Sequence, residues 1–534
     1  MRIYAGMRLG HGSELSANSN LGRDQPDSDS DTPVRSVRWR QSGFFPRSFV
    51  FSLDGLADSG ELLSIPVPQG SFAISPDYEW HISVRSHSFV LLVGYCIDLR
   101  FAHRSTQEVV ESLLETALQG GAPALLAEAE HHLGRYTVIA HLEGEWIVFN
   151  DACATRSTYY ADGAPIVASH SNLVGEILSR APRAQMFRHY RFGLPGNASP
   201  VPGVRMLPAN MAFDIRHQTL SRFWPRADRV ERPAKDVYDS VERTLIQSAE
   251  AIAERWRPAI SLTAGFDSRT TLAAFRHLSP GAVFTYDRGV IDEVDVAIAR
   301  EICQRLNIHH TQLPSVGPDE AEEVYAAVKA MTDYTHFEAA AATYLSAFPD
   351  GDCIHVRSNL AEIGSHRSWF QPPPSRFNAS RWNAVLTDAE RKHEPQRNEA
   401  LRYLQEEMQR LLGLLGYDPS NPRKRTLRGY DAWDLLYWEH RLSTWHSRVL
   451  LGSDFAFDTA TLFNSRRLLE LLLSVPLKDR TKGTLFRSFI AKRCPELADV
   501  PINPRSKLEA LDIRAAFRVA KRYFPISAID RFRR

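Results

Sequence analysis

The residues best suited to chemistry lie in one stretch, Pro258-Ala-Ile-Ser-Leu-Thr-Ala-Gly-Phe-Asp-Ser-Arg-Thr-Thr-Leu-Ala-Ala-Phe275. Ala259, Ile260 and Leu262 predict a short buried strand, Thr263-Ala264-Gly265 a tight turn, and Leu272, Ala273 and Phe275 a helix that starts between them. Small side chains at such a turn let backbone N–H groups approach a ligand. The unpaired first-turn amides and the positive end of the helix dipole then favour a phosphate. Asp267 is placed to hold a divalent cation, and Thr263 and Ser268 add hydroxyl contacts. No Gly-Lys-Ser/Thr follows, so this is not a Walker loop. Turns of small residues between strand and helix are common and most bind nothing, so the neighbouring elements must decide.

Those neighbours alternate. Arg232–Trp256 predicts a helix with Val237, Val241, Leu245, Ile246, Ala249, Ile252 and Trp256 on one stripe. After the loop, Ala282–Tyr286 predicts a strand and Glu293–Leu306 a helix with Val294, Ala297, Ile298 and Ile302 inward. Ile308–Leu313 predicts a third strand. Strand–helix alternation implies an α/β domain with a parallel sheet covered on both faces, and ligands in such sheets sit at the C-terminal strand ends. Upstream, Ser48–Leu53, Trp80–Val84, Phe89–Val93, Tyr136–Ala140 and Glu145–Phe149 predict strands, with helices over Thr106–Leu118 and Ala122–Leu133. Strands in runs with helices inserted imply an α+β domain of stacked antiparallel sheets up to about residue 225. Residues 13–36, rich in Ser, Asp, Asn and Pro, form a loose segment.

At 534 residues the chain is long enough for two or more domains. Its net charge of +1 gives no reason to expect nucleic acid or an acidic membrane as partner. Cys96, Cys153, Cys303, Cys353 and Cys494 show neither metal-ligand spacing nor a disulfide framework. No run is long enough to span a bilayer and the start does not resemble a signal peptide, so the expected compartment is the cytoplasm.

Two sets of motifs carry a resemblance. Thr263-Ala-Gly-Phe-Asp-Ser268 is similar to the Ser-Gly-Gly-x-Asp-Ser pyrophosphate loop of ATP pyrophosphatases, and Lys482-Gly-Thr-Leu-Phe-Arg487, Pro495-Glu-Leu and Arg505-Ser-Lys507 resemble the later Gly-Lys-x-x-Leu-Arg, Leu-Pro and Arg-x-Lys of the asparagine synthetase superfamily. Gly134-Arg-Tyr136, Trp146–Phe149, Asp151–Tyr160, Pro202–Asn210 and Phe223-Trp224 resemble that superfamily's class II glutamine amidotransferase domain. The resemblance spans roughly residues 85–510. It implies an Ntn-type α+β sandwich over 1–225 and an α/β ATP-pyrophosphatase domain over 226–534. The family's glutaminase uses a Cys after the initiator Met; Arg2 stands here, so no glutaminase is expected. Cys96 and Cys153 belong in the core. Five positions depart from the pattern elsewhere: Thr263 replaces a loop Ser, Ala264 a loop Gly, Ser358 a first acid, Ala361 a metal-binding Asp, and Asn464 a final Asp.

The resemblance implies an ATP- and Mg²⁺-dependent ligase. A small-molecule or peptide carboxylate is adenylated with release of pyrophosphate, then passed to an amine acceptor. Ser261, Leu262, Thr263, Ala264, Gly265, Phe266, Asp267, Ser268, Arg269 and Lys482 would hold ATP or its pyrophosphate, with Asp267 on the metal. Lys507 and Glu362 would be the catalytic pair, and Glu362, Asp292 or Asp295 would complete the metal site. β-Lactam synthetases and lasso-peptide cyclases also lack the cysteine and close an amide within one molecule, so intramolecular and intermolecular ligation both stay open. Biosynthetic partner proteins are further candidates. A scaffold that kept the fold without catalysis is the rival, and Ala264, Ala361 and Asn464 are its support.

Overall fold

The computed structural model describes residues 45–56, 62–183, 194–333, 337–365, 397–416 and 426–504. Lys507, the 13–36 segment and the basic run 423–425 lie outside the described residues.

The amino-terminal part stacks two six-stranded antiparallel sheets. One runs Val204–Met206, Tyr159–Ala161, Ala164–Ala168, Phe49–Ser52, Ser71–Ile74, Leu63–Ile65; the other runs Thr219–Arg222, Met211–Asp214, Glu145–Asn150, His132–Leu142, Ser88–Asp98, Trp80–Arg85. Side-chain alternation builds the layers. Phe89, Leu91, Val93, Tyr95 and Ile97 point to the inter-sheet core with Phe49, Phe51 and Phe72, while Val90, Leu92 and Cys96 face the Thr106–Glu128 helix. That helix starts at a capping box, with the Ser105 amide donating to Glu108 and the Glu108 amide to Ser105 Oγ.

Some expectations shift. Helical conformation reaches only to Glu128, interrupted at Gly121 (φ 66°), with a 3₁₀ turn over Ala129–His131. Leu133, expected at a helix end, is strand, because His132–Leu142 pairs with Ser88–Asp98 along its length.

The later part holds a five-stranded parallel sheet in the order Thr311–Pro314, Ala282–Asp287, Pro258–Ser261, Ile354–Val356, Asp458–Ala460. Ile260, Val283 and Ile354 pack on one face with Leu272 and Ile302; Ala259, Phe284 and Cys353 pack on the other with Tyr344 and Phe457. The Glu293–Leu306 helix forms as expected, but Ala297 is exposed and Val296, Ala299, Cys303 and Leu306 take the inner face with Ile298 and Ile302. The strand order reverses between Pro258–Ser261 and Ile354–Val356, which opens a crevice at their C-terminal ends.

Buried polar contacts join the two parts. Arg135 bonds Asp454 (2.9 Å) and Asp458 (2.7 Å), and Arg448 meets Asp333 (3.0 Å) and the Tyr159 hydroxyl. Asp151 accepts amides from Tyr136, Thr155 and Arg156 and the Asn464 amide group at 2.9 Å, while Asn464 Oδ1 accepts the Cys153 amide. Asn464 must therefore donate to a carboxylate. Asn464→Asp sets two carboxylates together and should cost about 2–4 kcal/mol at pH 7. The loss should shrink toward pH 5, where the folded variant takes up a proton that the unfolded chain binds more weakly. Urea unfolding at both pH values measures this; a variant as stable as the parent at pH 7 refutes the assignment.

Candidate functional site at the strand switch point

The Leu262–Gly265 loop leaves the central strand at the reversal point, and the Phe266–Ala274 helix follows. Its internal bonds are extensive. Leu262 N–H donates to Phe284 O and its carbonyl accepts from Thr285 Oγ1, both at 2.8 Å. The Thr263 amide donates to Ser268 Oγ (3.1 Å), the two hydroxyls lie 3.0 Å apart, and the Gly265 amide donates to Thr263 Oγ1 (3.3 Å). The Ala264 amide donates to Asp295 Oδ1 at 2.8 Å. The main-chain groups of Leu262 are thus committed to the sheet and the Ala264 N–H to Asp295. Both shape the loop. Ser261, ending the strand, is half-buried behind it.

Gly265 is the helix N-cap, and no side chain caps the first turn among the described residues. Its φ of −79° is open to any residue, and an added Cβ would meet only Thr263 and Asn503 oxygens at 3.5 Å. No described neighbour demands glycine here, and the bare backbone stands beside the amides of Phe266, Asp267 and Ser268.

Asp267 is half-buried and accepts no hydrogen bond among the described residues. Burial first, and the negative charge of Glu362 second, hold its carboxyl well above the usual range. Glu362 stands across the switch point in the short Ala361–Gly364 helix after Ile354–Val356, and the Leu360 amide donates to its Oε2 at 2.9 Å. Of the three acids suggested by sequence, Glu362 is the one whose charge reaches Asp267. Asp292 pairs with Arg288 at 2.6 Å, and Asp295 holds the loop. Two opposed carboxylates, one without a partner, fit a divalent cation that also takes ligand oxygens.

Arg269 turns its guanidinium to backbone carbonyls. Its guanidinium donates to the carbonyls of Ala264 (3.1 Å), Val500 (2.9 Å) and Pro501, and burial lowers its pKa to about 10. It ties Val500 and Pro501 to the loop, where the Asn503 amide also donates to Ala264 O (3.1 Å). Lys482 is exposed; the next residue, Gly483, packs against the Phe266 ring, and Arg487 lies over that ring at 4.4 Å. These contacts set the segment around Gly483 and Arg487 beside Phe266, the first residue of the loop's helix. Cys96 and Cys153 are buried in the core and burial raises both thiols. Glu439, in the π-helical segment Tyr437–His446, finds Arg222 (2.6 and 2.9 Å) and Asn210 (3.0 Å).

Sequence reasoning missed Arg357, half-buried at the end of the Ile354–Val356 strand. A charge closing an apolar run was the available signal.

No family model matches the chain, and no curated protein does. Among solved structures it is similar to a glutamine phosphoribosylpyrophosphate amidotransferase from B. subtilis complexed with ADP and GMP, at 11% identity and TM-score 0.22 over 52% of this chain and 86% of that one. It is also similar to a glutamine-dependent NAD+ synthetase from Acinetobacter baumannii in complex with ADP, at 12% identity and TM-score 0.21 over 47% and 66%. The site therefore rests on its own residues. No described helix is long and apolar enough to cross a membrane.

A carboxylate whose pKa is raised by folding destabilises the fold once ionised, and the penalty fades as pH falls toward the unfolded value. Asp267→Asn should raise the unfolding midpoint of the ligand-free protein at pH 8 by roughly 1–3 °C, with the gain vanishing near pH 4. Scanning calorimetry across that range checks it; a lowered midpoint at pH 8 contradicts the geometry.

Proposed function

We propose that the protein is an ATP-dependent, AMP- and pyrophosphate-forming amide-bond ligase that does not use glutamine. The observation that carries this reading is the Asp267 carboxyl, which accepts no hydrogen bond among the described residues and feels the charge of Glu362, beside a helix N-terminus that no described side chain caps and with bare backbone at Gly265. ATP phosphates would lie against the amides of Phe266, Asp267 and Ser268 and the hydroxyls of Thr263 and Ser268. Lys482 would meet them from the segment beside Phe266. Asp267 and Glu362 would hold Mg²⁺, which neutralises phosphate charge during transfer.

In the first step an oxygen of the substrate carboxylate bonds to the α-phosphorus, the bond to the bridging oxygen breaks, and pyrophosphate leaves. In the second, an amine bonds to the acyl carbon, the carbon–oxygen bond to AMP breaks, and the amine loses a proton. Lys507, three residues beyond Pro504, is assigned the negative charge that develops on the acyl oxygen. The amine belongs to the same molecule or to a second one; holding it beside the activated acyl group supplies proximity. The 225/226 boundary belongs to this same proposal. The amino-terminal part acts as the platform against which the crevice is held.

Pyrophosphate–ATP exchange with labelled pyrophosphate, Mg²⁺ and a panel of acids tests the reading. One class of acid should support exchange, and Asp267→Ala should lower it by on the order of 10²-fold. Lys507→Met should spare exchange and slow amide formation by a similar factor. Absence of exchange together with absence of ATP binding by calorimetry would falsify the ligase.

A further inference from the structure

A different set of donors meets at one end of the second antiparallel sheet. Asp98 closes the Ser88–Asp98 strand and His132 opens its neighbour, and the two stand opposite each other in register. Glu128 ends the Thr106–Glu128 helix, and the 3₁₀ turn Ala129–His131 leads from it to His132. A strand end, a helix end and a strand start are thus brought together. One donor atom from each side chain lies within 4.8 Å of the other two, and no other set of three His, Cys, Asp or Glu side chains does so among the described residues.

His132 is the side chain that lacks a partner. It is 2% exposed, its Nδ1 is unbonded, and its Nε2 faces Asp98 Oδ2 at 3.9 Å, beyond hydrogen-bond reach. Buried polar groups are normally bonded, and an imidazole left without a partner costs stability. Burial lowers its pKa to about 4, so at neutral pH the ring carries no charge and keeps a lone pair. Two ligands each about 2.0–2.2 Å from one ion stand roughly 3–4 Å apart. A gap of 3.9 Å suits that arrangement and no direct bond.

The two acids already share one cation. Arg100 lies at the surface and donates from Nε to Asp98 Oδ1 (2.9 Å), from one terminal nitrogen to Asp98 Oδ2 (2.7 Å) and Glu128 Oε1, and from the other to Glu128 Oε2 (3.3 Å). Asp98 and Glu128 therefore converge on a single positive group, and His132 is left out of it. The helix ending at Glu128 has no basic residue in its last turn, so its negative end also favours a cation there. An exposed guanidinium on a flexible stem is released at little cost, because water rehydrates it. A metal ion in its place would engage both carboxylates and the imidazole at once.

We propose that Asp98, Glu128 and His132 form a divalent transition-metal site, best matched by zinc, in which the ion replaces the Arg100 guanidinium. One imidazole with two carboxylates selects Zn²⁺ over Mg²⁺, which prefers oxygen alone. Half-buried Glu128 gives the ion a way in. Bound there, zinc would clamp the end of the helix to two inner strands of the sheet. The site stands on these residues alone, whether or not the protein is a ligase.

The full chain carrying Asp267→Ala, so that the pair of acids at the switch point is broken, is freed of metal with EDTA. It is then titrated with Zn²⁺ by calorimetry at pH 7.5, with unfolding midpoints followed in parallel. Zinc should bind with a Kd of about 10⁻⁶ M or tighter and raise the midpoint. His132→Asn and Glu128→Gln should each weaken binding about tenfold or more. Arg100→Gln should tighten it several-fold, because no guanidinium competes; an arginine with a structural role alone gives no such gain. No zinc binding, binding unchanged in both ligand variants, or binding weakened by Arg100→Gln overturns the site. An equal response to Mg²⁺ overturns the assignment to a transition metal. Should His132→Asn fail to fold, Glu128→Gln and Arg100→Gln, whose side chains reach solvent, carry the comparison in opposite directions.

Discussion

Two like charges held across the switch point are the constraint around which the later half is arranged. Asp267 and Glu362 belong to helices that follow adjacent strands, so the pairing of Pro258–Ser261 with Ile354–Val356 sets their separation. Left alone, such a pair would move apart or take up a proton. Here neither backbone can retreat. Asp295 fixes the Ala264 amide, Arg269 gathers three carbonyls around the loop, and the Leu360 amide pins Glu362.

The amino-terminal sheets bear on the crevice through buried ion pairs. Desolvating charges gives little net stability, while removing one partner from such a pair costs about 3–5 kcal/mol. The pairs therefore select one relative placement. Arg135 fixes Asp454 and Asp458, at the base of the last strand, and Arg222 with Asn210 fixes Glu439. Glu439 lies two residues from Arg441 on the same helix, so its burial on one side turns Arg441 to the other. The segment that resembles an amidotransferase motif thus supplies the polar surface against which the π-helical segment is held.

Local pattern revealed what local forces decide. The loop, its helix and the Glu293–Leu306 helix follow from spacing, as does most of the strand set. Strand length was less legible. In Ser88–Asp98 every residue is buried, because a sheet covers one face and a helix the other, so polarity does not alternate and only the apolar middle stands out. Ala297 fooled the helical stripe because small residues fit either face. Residue type was misleading at Arg269, whose cation suits phosphate but is consumed by carbonyls more than two hundred positions away. Arg357 and Arg441 come from separate segments, and no short window of sequence holds both.

The departures from the family pattern take on a different meaning once their surroundings are known. Asn464 donates to Asp151 and accepts from Cys153, a pair of roles an ionised aspartate could fill only by half, since it has no proton to donate to Asp151. Ala264 is buried to 1% exposure with its amide given to Asp295, so its methyl faces the protein and leaves the ligand side of the loop bare. Ala361 is fully buried at the start of its short helix, with Glu362 beside it turned to Asp267. A chain that had merely lost its chemistry would be free to relieve the Asp267–Glu362 repulsion by a single change to an amide. Both acids remain, and Gly265 stands where an added Cβ would meet no described atom closer than 3.5 Å.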